Sequence, residues 1–501
     1  MIAIVPSATL LGIDGQPVDV EVYVSQGLPS FTVVGLPDAA CRESRDRVRA
    51  ALLSSGRSWP LKRMTVNLAP SGIRKEGAGL DLAIAIALLV AADELPAEAV
   101  EGMAFIGELG LDGSTRRVRG MVPLAEAITA STLVVPIDCV AEAALVGRHQ
   151  VRGIATLAQL LGCLTAVADW PELLPPPPRP LPIPPPDLAD VRGQPVARRA
   201  LEASAAGGHH LLFTGPPGAG KTMLARRLPS LLPALDHRDA MIATKVHSAA
   251  GLSLPPDGLV RVPPFRAPHH TATLAALVGG GSSWIRPGEA SIAHGGVLFT
   301  DEMAEFAPTA LDALRQPLEE GVVRVARAHA SVSFPARFLL VGATNPCPCG
   351  EATEGACRCP EAVRARYSRR LSGPLLDRFD LRVIVPRPDV DDLLRGGQGE
   401  SSECVAGRVA SARELARRRG VRANAELPVS RLDEVAPLTP AAAQLLEHRL
   451  RRGLLSARGL HRVRRVALTF ADLEGGRGRV GEEHVCLALT LRAEPAAAIA
   501  A

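Results

Sequence analysis

The sequence predicts an α/β protein made of an N-terminal α+β part, a central α/β part and a helical C-terminal part. Three observations predict it. Apolar β-like runs alternate with helical patterns through the first 168 residues. The strand-like Leu211–Thr214 then runs straight into Gly-Pro-Pro-Gly-Ala-Gly-Lys-Thr and a helical pattern. Beyond Pro386 the pattern becomes mostly helical and Arg-rich.

In chain order, β-like runs are expected at Ala3–Pro6, Val18–Val24, Thr32–Val34, Met64–Leu68, Met103–Ile106 and Thr132–Val135. Helices are expected at Ala39–Ser54, Leu80–Ala92 and Val122–Ala130. The apolar run Leu82–Ala92 lies between Asp81 and Asp93 and reads as a buried helix, well short of the roughly 20 residues of a membrane span. Ten of the sixteen residues Pro171–Pro186 are proline, which makes an extended, semi-rigid spacer. The second region opens with a helix near Pro195–Ala206, followed by the strand Leu211–Thr214 and the helical Met223–Leu228. Two further strands, Val297–Thr300 and Phe338–Ala343, each end in polar residues. From 401 to 470 there are fourteen Arg against six Asp and Glu, a local net of +8.

Composition excludes several classes. The 501 residues suggest about three domains and can bury several cores without disulfides. Apolar residues at 47% and charged residues at 22% argue against global disorder. Aromatics at 3% leave no repeated stacking platforms for single-stranded nucleic acid. Net charge of +4 is too small to name a partner. The N-terminus has no basic lead, and nine cysteines do not make a secreted disulfide scaffold, so a cytoplasmic location and no membrane partner are expected. Only Lys62, Lys75, Lys221 and Lys245 are lysines, which gives weight to any one of them in a motif.

Lys221 is in such a motif. Gly215, Pro216, Pro217, Gly218, Ala219, Gly220, Lys221 and Thr222 fill every fixed position of GxxxxGK[ST]. The glycines turn backbone N–H groups inward around phosphate oxygens, and the following helix N-terminus adds positive potential. Lys221 would reach the β- and γ-phosphates of ATP, and Thr222 would ligate Mg²⁺. Val297–Thr300 leads into Asp301, which would hold Mg²⁺ through water, and Glu302, which would polarise the attacking water. Thr344-Asn345 ends a further strand, where Asn345 can orient the water or sense the γ-phosphate. Arg378 suits a finger reaching a neighbour's ATP; the alternative is an internal ion pair with Asp377 or Asp380.

The order GPPGAGKT, FRAPHH, PGEASIAHGGVLFTDE, TNPCPCG, LSGPLLDRFDL and SARGLHRVRRVA resembles the magnesium-chelatase-like AAA+ ATPases, and within them the ComM/YifB group, over nearly the full length. The strings GLPSFTVVGLPDAACRESRDRVRAAL and VNLAPSGIRKEGAGLDLAIAIALL are similar to that group's Lon-protease-like domain. The resemblance implies a Lon-protease-like α+β domain (ribosomal S5 domain 2-like) over 1–168, a Pro-rich linker over 169–187, an AAA+ P-loop core over 188–388 and a helical lid over 389–501. It implies that Gly215, Gly220, Lys221 and Thr222 form Walker A, Asp301 and Glu302 Walker B, and Asn345 sensor 1. It makes Arg378 the arginine finger and Arg458 sensor 2, with Arg462 as the runner-up. The 80 residues from Lys221 to Asp301 fit the helix-2 insertion of this clade, within which His269-His270 is expected to have a structural or pore-loop role, with metal binding as the lesser alternative.

Lon-type proteolysis needs a Ser–Lys dyad. Matched to that pattern, Gly79 stands where the serine would be and Val122 where the lysine would be, so peptidase chemistry is not expected. Cys347, Cys349, Cys357 and Cys359 form CxC…CxC, tighter than the usual zinc spacing, and are candidates for structural Zn²⁺, with free thiols in a loop as the other reading. Arg324 and Arg327 are candidates for phosphate-backbone contacts in a pore hairpin, against a solvated edge strand. By resemblance the protein is a homo-hexameric ATP-hydrolysing motor on branched or single-stranded DNA, a branch-migration helicase of homologous recombination and natural transformation, with recombination proteins as further partners. The alternatives are a chelatase-like ATPase or a chaperone that remodels a protein partner.

Overall fold

The computed structural model describes residues 2–172, 185–281, 285–327, 330–351, 357–395, 397, 399–476 and 479–492. Most of the proline-rich stretch, residues 173–184, lies outside the described residues. Among the described residues no helix is long and apolar enough to cross a membrane.

The N-terminal sheet follows from alternation. In Asp14–Ser25, Val18, Val20, Val22 and Val24 are buried while Asp19 and Tyr23 are exposed, as a strand with one face on a core requires. The four strands lie in the order Ile2–Leu11, Asp14–Ser25, Arg63–Ala69, Ser30–Val34, with only the last pair parallel. Beneath them runs Asp81–Ala91, buried along its whole length, so it carries no polar face. Its one charge is matched: Arg47 donates to both Asp81 carboxylate oxygens at 2.6 and 3.0 Å. Burial nonetheless pushes that carboxyl up to about 6. The expected helix Ala39–Ser54 divides at Glu43 into Ala39–Arg42 and Ser44–Ser54, the first capped by the Asp38 side chain. A second sheet of three parallel strands joins Met103–Phe105, Thr132–Pro136 and Gln150–Ile154.

The central part is a five-stranded parallel sheet in the order Phe265–Arg266, Val297–Thr300, Leu339–Thr344, Leu211–Thr214, Leu381–Ile384. Parallel strands are covered on both faces, which is why these runs read as continuously apolar. One face packs Phe213, Phe299, Val341 and Leu381 against Leu201 of helix Pro195–Gly207, Val409 of helix Ser402–Arg418 and Phe470 of helix Ala457–Leu473. The C-terminal helices therefore share their core with the sheet. The opposite face packs Leu298, Leu340 and Phe379 with the antiparallel hairpin Val322–Arg327 and Ala330–Pro335. Because Thr214 lies beside Thr344, and Thr300 beside Gly342, the loops after three strands open at one edge. That edge is where parallel α/β sheets bind ligands.

Candidate active site

Three loops converge there. Gly218 and Gly220 have φ of +78° and +88°, and a Cβ at either would meet nothing, so glycine is required by backbone conformation and not by crowding. Gly215 differs: a Cβ there would lie 2.1 Å from the Val385 carbonyl oxygen. The loop carries Lys221 back over itself, and its Nζ donates to the carbonyls of Gly215 at 2.6 Å and Pro216 at 2.9 Å. A third bond, 3.0 Å long, reaches Asn345 Oδ1 at the end of Leu339–Thr344. Burial lowers the Lys221 ammonium from its ordinary value, against the pull of Asp301 and Glu302. The Thr222 hydroxyl donates to Asp301 Oδ2 at 2.7 Å. A hard hydroxyl and a carboxylate so paired suit Mg²⁺, which takes few protein ligands beside phosphates and water.

Glu302 sits in the left-handed region at φ +49°, a conformation that costs roughly 1–3 kcal/mol for a residue with a side chain. Its N–H donates to Asp301 Oδ1 at 3.0 Å, and its carboxylate lies 3.1 Å from His270 Nδ1. The His270 ring lies tilted against that of His269, centroids 4.1 Å apart. The sequence placed this pair only in an insertion; the short strand Phe265–Arg266 lies parallel beside Val297–Thr300 and so brings His270 to Glu302. Gln194 is a second residue that motif reading passed over. It too has a positive φ, +58°, and its Nε2 donates to the carbonyls of Pro386 at 2.6 Å and Ala219 at 3.5 Å. The only hint was Gly-Gln ahead of a Pro-started helix.

Arg378 and Arg458 are not part of this convergence. Arg378 precedes Leu381–Ile384, whose first residue pairs with Leu211, so it lies at the opposite edge of the sheet from Gly215. There it forms an ion pair with Glu319, not with Asp377 or Asp380. Asp380 is bonded instead to His209 at 3.2 Å and Arg462 at 2.5 Å. Burial opposes that charge, but the His209 hydrogen bond and the Arg462 charge hold Asp380 well below the usual carboxylate range. Burial, then Arg462, Arg458 and Arg315, lower the Arg378 guanidinium, so four arginines share this corner. Arg458 itself is exposed.

The four clustered cysteines come together: their sulfurs all lie within 4.8 Å of one another. A backbone bond at Glu351, then Cys347, lowers the Cys349 thiol to about 6, while burial pushes Cys347 up to about 12. Arg324 is exposed and ion-paired with Glu320 at 2.5 Å, a surface contact of small worth. The side chain of Arg327 lies outside the described residues.

In the N-terminal part, a Cβ at Gly79 would lie 3.1 Å from Val118. Val122 is fully buried against Ala243 of helix His237–Ala250, and Ser248 of that helix accepts from Gly120 N at 3.0 Å. Lys75 is fully buried, and its Nζ donates to the Pro70 carbonyl. Gly79 and Val122, which the sequence matched to a dyad, thus stand in packing contacts.

Residues 187–393 match the family described as magnesium chelatase, subunit ChlI. Residues 20–138 match subunit ChlI of Mg-chelatase, and residues 399–492 match its C-terminal region. A protein of Mycobacterium tuberculosis is 47% identical, the match covering 97% of each chain. Protein YifB of Escherichia coli is 42% identical over 94% of each. Competence protein ComM of Haemophilus influenzae is 41% identical over 98% of this chain and 97% of its own. Lon protease 2 of Bacillus subtilis is 28% identical over 36% of this chain and 35% of its own.

Proposed function

The chain belongs to the ComM/YifB family of magnesium-chelatase-like proteins, and on that premise we propose that it is a ring-forming ATPase motor acting on DNA, a hexameric branch-migration helicase of homologous recombination and natural transformation. Family membership carries the coarser statement, an ATPase of the ComM/YifB type with ATP and Mg²⁺ as its substrate pair. In the proposal Gly215–Thr222 hold the phosphates, Thr222 and Asp301 hold Mg²⁺, Glu302 polarises water and Asn345 senses the γ-phosphate. Residues 1–168 form a Lon-protease-like domain without peptidase activity, joined through 169–187 to an AAA+ core at 188–388 and a lid at 389–501.

One observation carries the reading. Lys221, Thr222, Asp301 and Asn345 gather at one edge of the sheet, while Arg378 and Arg458 gather at the other. A site that holds Lys221 but has its candidate arginines on the far side of its own chain would be completed by a neighbour's, and head-to-tail contacts of that kind close into rings. The name of a relative, a competence protein, and the exposed Arg324 on its hairpin support DNA as the polymer.

The test is ATP turnover by sized oligomer, with and without forked and four-way DNA. Stimulation by branched DNA, falling steeply as salt rises, is the expected result. Protein that stays monomeric with nucleotide and ignores every DNA offered refutes the reading. The chelatase descriptions favour a second one, a motor that remodels a protein partner, and turnover stimulated by protein but not DNA would select it.

His270 enters as a positioning residue. Held 3.1 Å from Glu302, it fixes the carboxylate that faces water. His270→Ala is expected to lower kcat by about tenfold, a fraction of the 10²–10⁴-fold a general base supplies, with KM for ATP unchanged. His270→Asn should recover most of the loss. A rise in KM with kcat intact would assign His270 to nucleotide binding instead.

A further inference from the structure

We propose that Cys347, Cys349, Cys357 and Cys359 bind one Zn²⁺ as a closed four-thiolate site that clamps the loop after Asn345 against the phosphate-binding loop. The geometry is that of a metal cage. Cys347 Sγ lies 3.2 Å from Cys349 Sγ and 3.6 Å from Cys357 Sγ, and Cys349 and Cys357 are 3.7 Å apart. Tetrahedral zinc with Zn–S bonds of about 2.3 Å places its sulfurs ~3.8 Å apart. All four sulfurs lie within 4.8 Å of one another, and all four are free thiols. Among the described residues this is the only group of three or more metal-ligating side chains so disposed.

The donor set decides the class of metal. Four thiolates select a soft or borderline cation, with zinc the usual tetrahedral occupant, and leave no open position for catalysis. Binding releases thiol protons to solvent and involves no redox step.

The position in the fold gives the clamp. Cys347 is buried and stands two residues after Asn345, which holds the Lys221 ammonium. Gly350, at φ +83°, rests on the phosphate-binding loop so closely that a Cβ there would lie 2.5 Å from Pro217 Cδ. On the other side the Glu351 carboxylate accepts from Arg387 at 2.7 Å, just past strand Leu381–Ile384. A metal that joins Cys347 and Cys349 to Cys357 and Cys359 would tie these four residues to one point beside the phosphate-binding loop. Among the described residues, the close approach of Gly350 to Pro217 and the Glu351–Arg387 bond tie the loop to its neighbours.

The test is metal analysis of the full chain purified without chelator. One zinc per chain is expected. Cys357→Ser should lose it, while Cys404→Ser and Cys486→Ser, at isolated exposed cysteines, should keep it. Cobalt exchanged into the unaltered protein should show the intense visible bands of a tetrahedral tetrathiolate, a readout that does not depend on any variant folding. Stripping zinc should weaken binding of an ATP analogue and lower the melting temperature. Zinc-free protein that takes up neither metal, a disulfide among the four cysteines in its place, or cobalt bands of nitrogen or oxygen ligation overturns the site. Unchanged nucleotide affinity after stripping overturns the clamp.

Discussion

Lys221→Ala is expected to abolish nucleotide-dependent turnover. Its ammonium already sits in the cradle of its own loop, bonded to two carbonyls and Asn345. Burial lowers it from its ordinary value, so the charge is held at a desolvation cost. An incoming phosphate returns that cost, because an anion is a better partner for the cation than two neutral carbonyls. Removing a preorganised donor aimed at developing charge costs about 10²–10³-fold in rate. Here ground-state binding is lost as well, and Asn345 loses the partner that aligns it. Phosphate release at saturating ATP should fall to background, while the melting temperature stays near that of the parent. Turnover left intact in the folded variant would show that the nucleotide binds elsewhere.

How the sequence and the fold divide the information follows from the range of each contact. The strand–GPPGAGKT–helix unit was legible because its parts are contiguous: a short apolar strand, three closely spaced glycines and a helix start. The Asp301-Glu302 and Asn345 positions were legible for the same reason, as polar ends of apolar strands. The helix break at Glu43 was not, because the apolar pattern on either side of it is continuous. The contact of His270 with Glu302 was invisible, since the two-residue strand ahead of it is too short to leave a period, and pairing with Val297–Thr300 sets its register. Glu319 as partner of Arg378 was equally hidden. The nearby acids Asp377 and Asp380 were the natural guess, but Asp380 is taken by His209 and Arg462, one from the start of the neighbouring strand and one from a C-terminal helix. Val122 shows the same limit from the other side: its identity ruled out a lysine's chemistry, while its burial against Ala243 needed the fold.

Arg378→Ala is expected to leave ATP binding intact and suppress hydrolysis by about 10³-fold or more, the scale of a lost arginine finger. On the proposed reading Arg378 serves a neighbour's nucleotide, because it lies far from its own chain's phosphate-binding loop. From Leu211, level with the strand that Arg378 precedes, to Gly215 is roughly 13 Å at about 3.3 Å per residue. The Arg378 backbone is held at that far end, where its carbonyl accepts from Arg462 at 3.1 Å. Its Nε is buried without a hydrogen-bond partner, and burial and three neighbouring arginines disfavour its charge. Glu319, itself half-exposed, is its ion-pair partner. A triphosphate on an adjoining copy offers a stronger anion, and guanidinium can meet it with two parallel bonds. The competing explanation is that Arg378 matters only through Glu319. Glu319→Gln separates the two, because it should spare turnover while Arg378→Ala removes it. Mixing decides between a finger in the same chain and one from a neighbour. Lys221→Ala and Arg378→Ala are each expected to be inactive alone, yet in mixed rings of the proposed kind an intact Lys221 site would meet an intact Arg378 from the next subunit. Turnover should therefore reappear when the two variants are combined. Mixed rings as silent as their parents would place the finger on another residue, with Arg458 and Arg315 the next to substitute.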